Sequence, residues 1–351
     1  MNVLIIKTSS MGDVVHTLPA LTDAQRAVPG IRFDWVVEEA YAEIPAWHPA
    51  VDKVIPLALR RWRKQLWRGL VSDEWRVFRN LMEERSYDYI IDAQGLIKSA
   101  LIMSLGHGER CGFDRNSVRE PLAALIYQRS YEVAKNMHAV ERVRRLFALT
   151  LGYPPPTQDE DYGIDKTRFT VSLTERPYLV FLHGTTWPTK HWPESYWMVL
   201  ARLCCDAGYD VYLPWGNDTE RLRAERIANS AAGTQVLPRM ELNQLAGVLA
   251  GARAVVGVDT GLAHIAAALA VPSVTLYGAT SPQRTGTYGE SQTHLCANFR
   301  CAPCLKRQCT YTGDTQVLPA CYQTLPPERV WEALHEGASL PILLTPKTST
   351  M

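Results

Sequence analysis

Short runs rich in Val, Ile and aromatic residues recur in two series along this chain with helix-like segments between them. That alternation limits the fold more than any other feature. Residues 3–7, 33–37, 54–57 and 87–93 form the first series. Between them, residues 18–27 and 75–84 carry apolar side chains at helical spacing. A second series, 178–184, 210–215, 235–237, 254–259 and 273–277, follows Pro154, Pro155 and Pro156. Strands alternating with helices in this way build parallel α/β sheets. The pattern predicts two doubly wound domains, 1–165 and 166–325, and a terminal piece, 326–351, with a helix near 327–336 and a frayed Pro-, Thr- and Ser-rich end. A chain of 351 residues also exceeds the roughly 250–300 that one hydrophobic core organises. Open sheets of this kind bind ligands at the carboxyl ends of their strands. Two such domains facing a central cleft would place function in the loops that follow the strands.

Charge and patterning narrow the classes. Lys and Arg number 37 against 36 Asp and Glu, so a wholesale nucleic-acid binder is not expected. No apolar run approaches the roughly 18 residues of a membrane-spanning helix. The opening MNVLIIKTSSMGDVVHTLPAL has a brief apolar stretch and no basic leader, so it does not read as a signal peptide. Eight cysteines are too few for a disulfide framework at this length, and a reducing cytoplasm is the expected compartment.

The loop after the first strand runs from Lys7 through small residues to Asp13 and opens a helix whose pattern contains Pro19. Such a loop presents backbone N–H groups to an anion, and it sets Lys7 and Asp13 at the ligand end of the strand. Asp13 read alone is equally a helix cap. In the second series a buried strand ends at Asp259, and Thr260 and Gly261 start a helix whose N–H groups and dipole favour a phosphate. His264 shares that face, or is a core histidine. Thr185, Thr186 and Lys190 follow the strand at 178–184 and supply hydroxyls and a cation. A P-loop is absent, and the run from Gly106 to Gly112 has the wrong spacing for a dinucleotide fingerprint.

Between Arg60 and Arg79 seven basic residues stand against two acidic ones, with Trp62, Trp67 and Trp75 interleaved. Arg beside Trp suits an anionic, amphipathic partner at a membrane surface. Nucleic acid and a plain solvated face satisfy the same pattern.

Taken in order, the blocks KTSSMGDVVHTLPALTDAQ, FDWVVEE, RRWRK, IDAQGLIKSA, REPLA, HAVER, KHWPE, LPWG and VDTGLAHIAAAL resemble those of the ADP-heptose:lipopolysaccharide heptosyltransferases. The resemblance runs from Met1 to about Gly289. It implies a GT-B fold, with the acceptor on the first domain and the nucleotide sugar on the second. It implies inverting transfer of L-glycero-D-manno-heptose from ADP-heptose to a Kdo sugar of Kdo2-lipid A, by a peripheral protein on the cytoplasmic face of the inner membrane. Asp13 then carries the role of base and Lys190 that of leaving-group cation. Donor contacts fall on Thr185, Thr186, Lys190, Glu220, Met240, Asp259, Thr260, Gly261 and His264. Acceptor contacts fall on Lys7, Arg60, Arg61, Arg63, Lys64, Arg119 and His138. No cofactor, divalent metal or nucleic acid is expected. A family member with another acceptor and a nonenzymatic binding module are the rivals. RRWRK favours the Kdo acceptor, and Asp13 beside a cationic pocket favours an enzyme.

Past Gly289 the sequence departs from that pattern, and Cys296, Cys301, Cys304, Cys309 and Cys321 gather with spacing C-x4-C-x2-C-x4-C-x11-C. Cys301, Cys304, Cys309 and Cys321 could hold a structural zinc, although the second pair lacks a two-residue gap. Free packing thiols and a disulfide are the alternatives, and a structural role is expected in each case.

Overall fold

Residues 3–6 read Val-Leu-Ile-Ile, apolar on both alternating faces, and such a strand is stable only when both faces are covered. In the computed structural model it is strand β1 (Asn2–Ile6), at the middle of a six-stranded parallel sheet, and residues 3–6 are fully buried. Burial of each such aliphatic side chain contributes about 1.5–3 kcal/mol. The structure describes residues 1–64, 72–169, 171, 173 and 176–338. The chain divides into two compact units, Met1–Asp165 and Lys166–Met351.

In the first unit β1 is joined by β2 (Arg32–Glu38), β3 (Val51–Leu57), β4 (Ser86–Asp92), β5 (His107–Phe113) and β6 (Arg129–Tyr131) in the order β3-β2-β1-β4-β5-β6. Leu4 and Ile6 pack with Phe78 and Met82 of the helix Asp73–Glu83. Ser72 caps that helix, its Oγ accepting from Trp75 N at 3.2 Å. The helix Leu18–Ala27 packs on the helix Ala139–Leu151. There the buried Arg144 donates to Asp23 at 2.7 Å and to the Gln158 carbonyl at 2.9 Å. Pro19 does not interrupt a helix. It sits in the first turn of Leu18–Ala27, after a separate short helix Met11–Val15, where a missing N–H costs nothing.

The second unit has β7 (Tyr178–Leu182), β8 (Asp210–Leu213), β9 (Thr234–Val236), β10 (Ala254–Val258), β11 (Ser273–Tyr277) and β12 (Gln292–Cys296) in the order β12-β11-β10-β7-β8-β9, all parallel. Counted within each unit, both sheets have the doubly wound order 3-2-1-4-5-6. The terminal helix Pro327–Ala338 belongs to this unit: Val330, Ala333 and Leu334 are buried in one cluster with Phe181, Trp192 and Trp197. The expected tail at 339–351 lies outside the described residues.

The glycine run that failed as a fingerprint is itself a strand, β5. A Cβ at Gly108 would meet the Tyr87 carbonyl at 2.7 Å, and one at Gly112 would meet the Tyr127 ring at 2.4 Å. These glycines permit close packing. Among the described residues no helix is long and apolar enough to cross a membrane.

Candidate active site

In a sheet of this order the strand sequence reverses direction between the first and fourth strands, and ligands bind at the carboxyl ends there. In the first unit that point lies between β1 and β4, and in the second between β7 and β10. The loops in question are Lys7 to Asp13 with Asp92 to Gly95, and His183 to Lys190 with Asp259 to Gly261.

In the first unit Lys7 is buried, and its Nζ donates to the Ala93 carbonyl at 2.8 Å. Burial lowers its ammonium pKa, Asp13 and Asp92 raise it, and Arg142 and Arg119 lower it further. Thr8 N and Ser9 N both donate to Gln94 Oε1, at 3.2 and 3.1 Å. Ser10 N and Oγ donate to Asp13 Oδ2 at 2.8 and 2.9 Å. Asp13 therefore does fill the capping role that its position allows. Its Oδ1 accepts no hydrogen bond from the described residues, and the side chain is half-buried. Beneath the loop, Asp92 is fully buried and accepts from Gln94 N, Gly95 N, Ser99 Oγ and Tyr127 OH at 2.7–3.0 Å. Burial raises its carboxyl pKa while those four donors pull it back.

His138 caps the helix Ala139–Leu151, its Nδ1 accepting from Val140 N, and its ring stands edge-on to His16 with centroids 5.3 Å apart. Arg119 is exposed, within electrostatic reach of Lys7. Sequence reasoning missed His16, Asp92 and Gln94. His16 falls three residues after Asp13, and Asp92 and Gln94 lie in the IDAQGL block, so position relative to the strand ends was the available signal.

The basic block divides. Arg60 N donates to Glu38 Oε1 at 2.9 Å, and its guanidinium lies over the Tyr41 ring at 5.2 Å. Arg61 pairs with Glu39 and Glu74 at 3.1 and 2.8 Å. The side chains of Arg63 and Lys64 lie outside the described residues, as do Trp67 and Arg68. The part of the tryptophan-lined surface assigned to Trp62 is corrected here. Trp62 is buried, donates Nε1 to Glu74 at 2.9 Å, and packs edge-on to Trp75 and Phe78. With its indole N–H satisfied inside the unit, burying the ring costs nothing polar.

In the second unit Lys190 Nζ pairs with Asp259 Oδ2 at 2.7 Å, both side chains largely buried. The same oxygen accepts from Thr280 Oγ1 at 2.8 Å, and Thr185 Oγ1 donates to the Asp259 carbonyl at 3.2 Å. Lys190 is further fixed by the Trp187 ring at 4.9 Å and by Tyr322 OH, which donates to its carbonyl at 2.8 Å. Thr260 is the extended N-cap of the helix Gly261–Ala268, and His264 is buried one turn along it. The Glu220 carboxylate accepts from Gly216 N at 2.8 Å and abuts Gly184, where a Cβ would meet the carboxyl carbon at 2.8 Å. The Glu220 carboxylate thus lies directly against the Gly184 backbone. Thr186 is exposed, and Met240 is half-buried in the turn after β9. Sequence reasoning gave no role to His183, His191 and Arg223. Arg223 donates to His191 Nδ1 at 2.7 Å, and burial, aided by Arg223, holds both imidazoles down to about 4.

The cysteines past Gly289 form no disulfide among the described residues. Cys296, Cys301, Cys304, Cys309 and Cys321 are all free thiols. Among the described residues no group of three His, Cys, Asp or Glu side chains is assembled as a metal site, while Cys301, Cys304 and Cys309 lie near enough to Cys321 to act on its charge. Cys321 is buried and Cys301 and Cys309 are exposed. Burial, with Cys301, Cys304 and Cys309 nearby, pushes the Cys321 thiol up to about 12.

Comparison with known proteins identifies the class. The model of glycosyltransferase family 9 (heptosyltransferase) matches residues 75–313, and the chain belongs to that family. It is a glycosyltransferase with the GT-B fold. It is 55% identical to lipopolysaccharide heptosyltransferase 1 of Pseudomonas aeruginosa, over 99% of each chain. The structure of Escherichia coli heptosyltransferase WaaC with ADP-2-deoxy-2-fluoro heptose matches at a TM-score of 0.83, with 46% identity over 96% of this chain and 99% of that one. Lipopolysaccharide heptosyltransferase 2 of Escherichia coli is 26% identical over 81% of this chain and 85% of its own. The Pseudomonas match extends past Gly289, whereas lipopolysaccharide heptosyltransferase 1 of Escherichia coli K12 matches over 83% of this chain, at 53% identity.

Proposed function

We propose that this protein transfers L-glycero-D-manno-heptose from ADP-heptose, with inversion, to a Kdo sugar of Kdo2-lipid A, working at the cytoplasmic face of the inner membrane. The observation that carries the reading is the match to an enzyme solved with an ADP-heptose analogue, over nearly the whole chain. The Lys190, Asp259 and Thr260 group at the second switch point is chemically suited to a pyrophosphate. A type 2 enzyme, with another acceptor, is the second reading; 55% identity to a type 1 relative against 26% to a type 2 relative favours the first.

In the step proposed, the Kdo hydroxyl oxygen attacks the anomeric carbon. Its proton passes to the Asp13 carboxylate, through the Oδ1 that capping leaves open. The bond from that carbon to the β-phosphate oxygen breaks, and its electron pair leaves with ADP. Such a base typically contributes about 10²–10⁴-fold. Lys190 exchanges Asp259 for the pyrophosphate, and the first N–H groups of the helix Gly261–Ala268 add their dipole to it. Because this charge grows as the bond breaks, Lys190 acts on the transition state as well as on binding. With cation and dipole both supplied by the chain, transfer is expected to proceed without a divalent metal. The test is ADP release from ADP-heptose and Kdo2-lipid A, with and without chelator, and the anomeric configuration of the product. Absence of ADP release, a retained configuration, or activity lost to chelator and restored by magnesium would each overturn its part of the proposal.

A further inference from the structure

Ten large hydrophobic side chains are more than a third exposed among the described residues, and four of them come from two touching elements of the first unit. On the helix Ile97–Met103, Ile97 and Leu101 are 37% and 57% exposed. One turn of helix separates them, so they share a face. On the 3-10 helix Pro121–Leu125, Leu122 and Leu125 are 61% and 77% exposed, and the three-residue period aligns them. The faces these elements turn inward are already used, by Ala100, Ile102 and Met103 and by Ala123. Glu120, just before the second element, accepts from Ile97 N at 2.7 Å and clamps the pair together. Neighbouring apolar side chains left in water on two joined elements mark an interaction surface.

Charge says which kind. Lys98 follows Ile97 and reaches the field of Glu38, whose carboxylate also accepts from Arg60 N. Arg115 and Arg119 are exposed on the segment leading into Pro121–Leu125. The one acidic residue at the junction, Glu120, is occupied by its hydrogen bond to Ile97 N. Apolar side chains rimmed by Lys and Arg match a bilayer with anionic headgroups, where the leucines enter the acyl boundary and the cations meet phosphate. The patch is also continuous with the candidate acceptor site. The helix Ile97–Met103 begins three residues after Gln94, which holds the Asp13 loop, and Arg119 lies within electrostatic reach of Lys7. We infer that Ile97, Leu101, Leu122 and Leu125 form the face by which the enzyme docks on an anionic lipid bilayer, setting the acceptor side of the first unit against the headgroups. The inference rests on the proposed lipid-linked acceptor and adds the surface that reaches it.

The experiment is flotation of the full chain with vesicles of phosphatidylethanolamine and phosphatidylglycerol, comparing the native protein with a Leu122→Ser, Leu125→Ser variant. A second variant, Leu122→Trp, Leu125→Trp, keeps the test independent of any loss of folding. The serine pair is expected to lower the bound fraction about tenfold or more, and the tryptophan pair to retain or raise it. With vesicle-embedded acceptor, KM should rise in the serine variant, while kcat and donor KM stay at native values. Transfer to a deacylated, water-soluble acceptor should be unchanged. Native-like flotation of the serine variant overturns the inference, as does equal impairment with the soluble acceptor. Loss of a native dimer in the variant without loss of flotation would assign the patch to a second copy of the chain instead. Failure of the native protein to use the soluble acceptor would count against the proposed function, whereas the flotation result stands by itself.

Discussion

The two units share one strand order and place their functional loops at equivalent switch points, yet they arm them differently. In the first unit the Asp13 carboxylate, the proposed base, is held by one oxygen, on a loop tied through backbone N–H groups to Gln94. In the second, Lys190 is already engaged by Asp259, which Thr280 and Thr185 hold in turn. A base works with an open lone pair. A cation that serves a transient anion is best stored against a carboxylate that the anion can replace. The difference teaches that disturbing the first switch point should act on rate, and disturbing the second on donor affinity and rate together.

The largest expected effect is that of Asp13→Asn. Asn accepts the capping bonds of Ser10 but cannot take a proton, so single-turnover transfer should fall by about 10²–10⁴. A variant keeping more than a tenth of the native rate would demote Asp13 to its cap. Lys190→Ala should lower kcat/KM by about 10²–10³, by analogy with loss of one preorganised charge-stabilising group.

Next is a contrast of stability. Asp23→Ala leaves the buried Arg144 with only Glu141 and the Gln158 carbonyl and should cost about 1.5–3 kcal/mol in denaturant unfolding. ADP affinity, a property assigned to the second unit, should be unchanged in the folded variant. A parallel fall in ADP affinity would show that the two units are not energetically separate.

Acid should weaken both units. Burial holds His48 in the first and His183 in the second down to about 4 from the ordinary 6.5. Between those values the unfolded chain binds protons that the folded chain refuses, so stability is full above pH 6.5 and declines toward pH 4. Each histidine contributes a slope of at most about 1.4 kcal/mol per pH unit. His48→Asn should remove the first unit's share, and an unchanged slope would contradict it. The smallest effect is that of replacing Arg60, Arg61, Arg63 and Lys64 with Gln. Acceptor KM should rise several-fold in dilute buffer and less at physiological salt, where screening sets in beyond about 8 Å. Donor KM should stay put.

The central strands were legible because parallel strands covered on both faces read as continuous apolar runs, as β1, β7 and β10 do. Of the four edge strands, β3 and β9 were read from 54–57 and 235–237, but β6 and β12 were not. β6 and β12 pair on one side only, and Arg-Ser-Tyr and Gln-Thr-His-Leu-Cys carry no apolar period. β5 hid behind its glycines, whose reason is the nearby Tyr87 carbonyl and Tyr127 ring. At the candidate site, Lys7, Asp13, Lys190 and Asp259 were visible from their position after strands. The buried support of Asp92 and Gln94 was not, since its meaning lies in contacts between β1 and β4 that only pairing reveals. Trp62 failed for the opposite reason: its neighbours in sequence are cations, while its neighbours in space are Glu74, Trp75 and Phe78.

The division of labour between the two switch points is tested most directly by titrating ADP into Asp13→Asn and Lys190→Ala side by side by calorimetry. The account predicts native affinity for Asp13→Asn and a dissociation constant raised about tenfold or more for Lys190→Ala, the scale of one lost charge-assisted contact. Equal weakening in both variants, or native affinity in both, would contradict it.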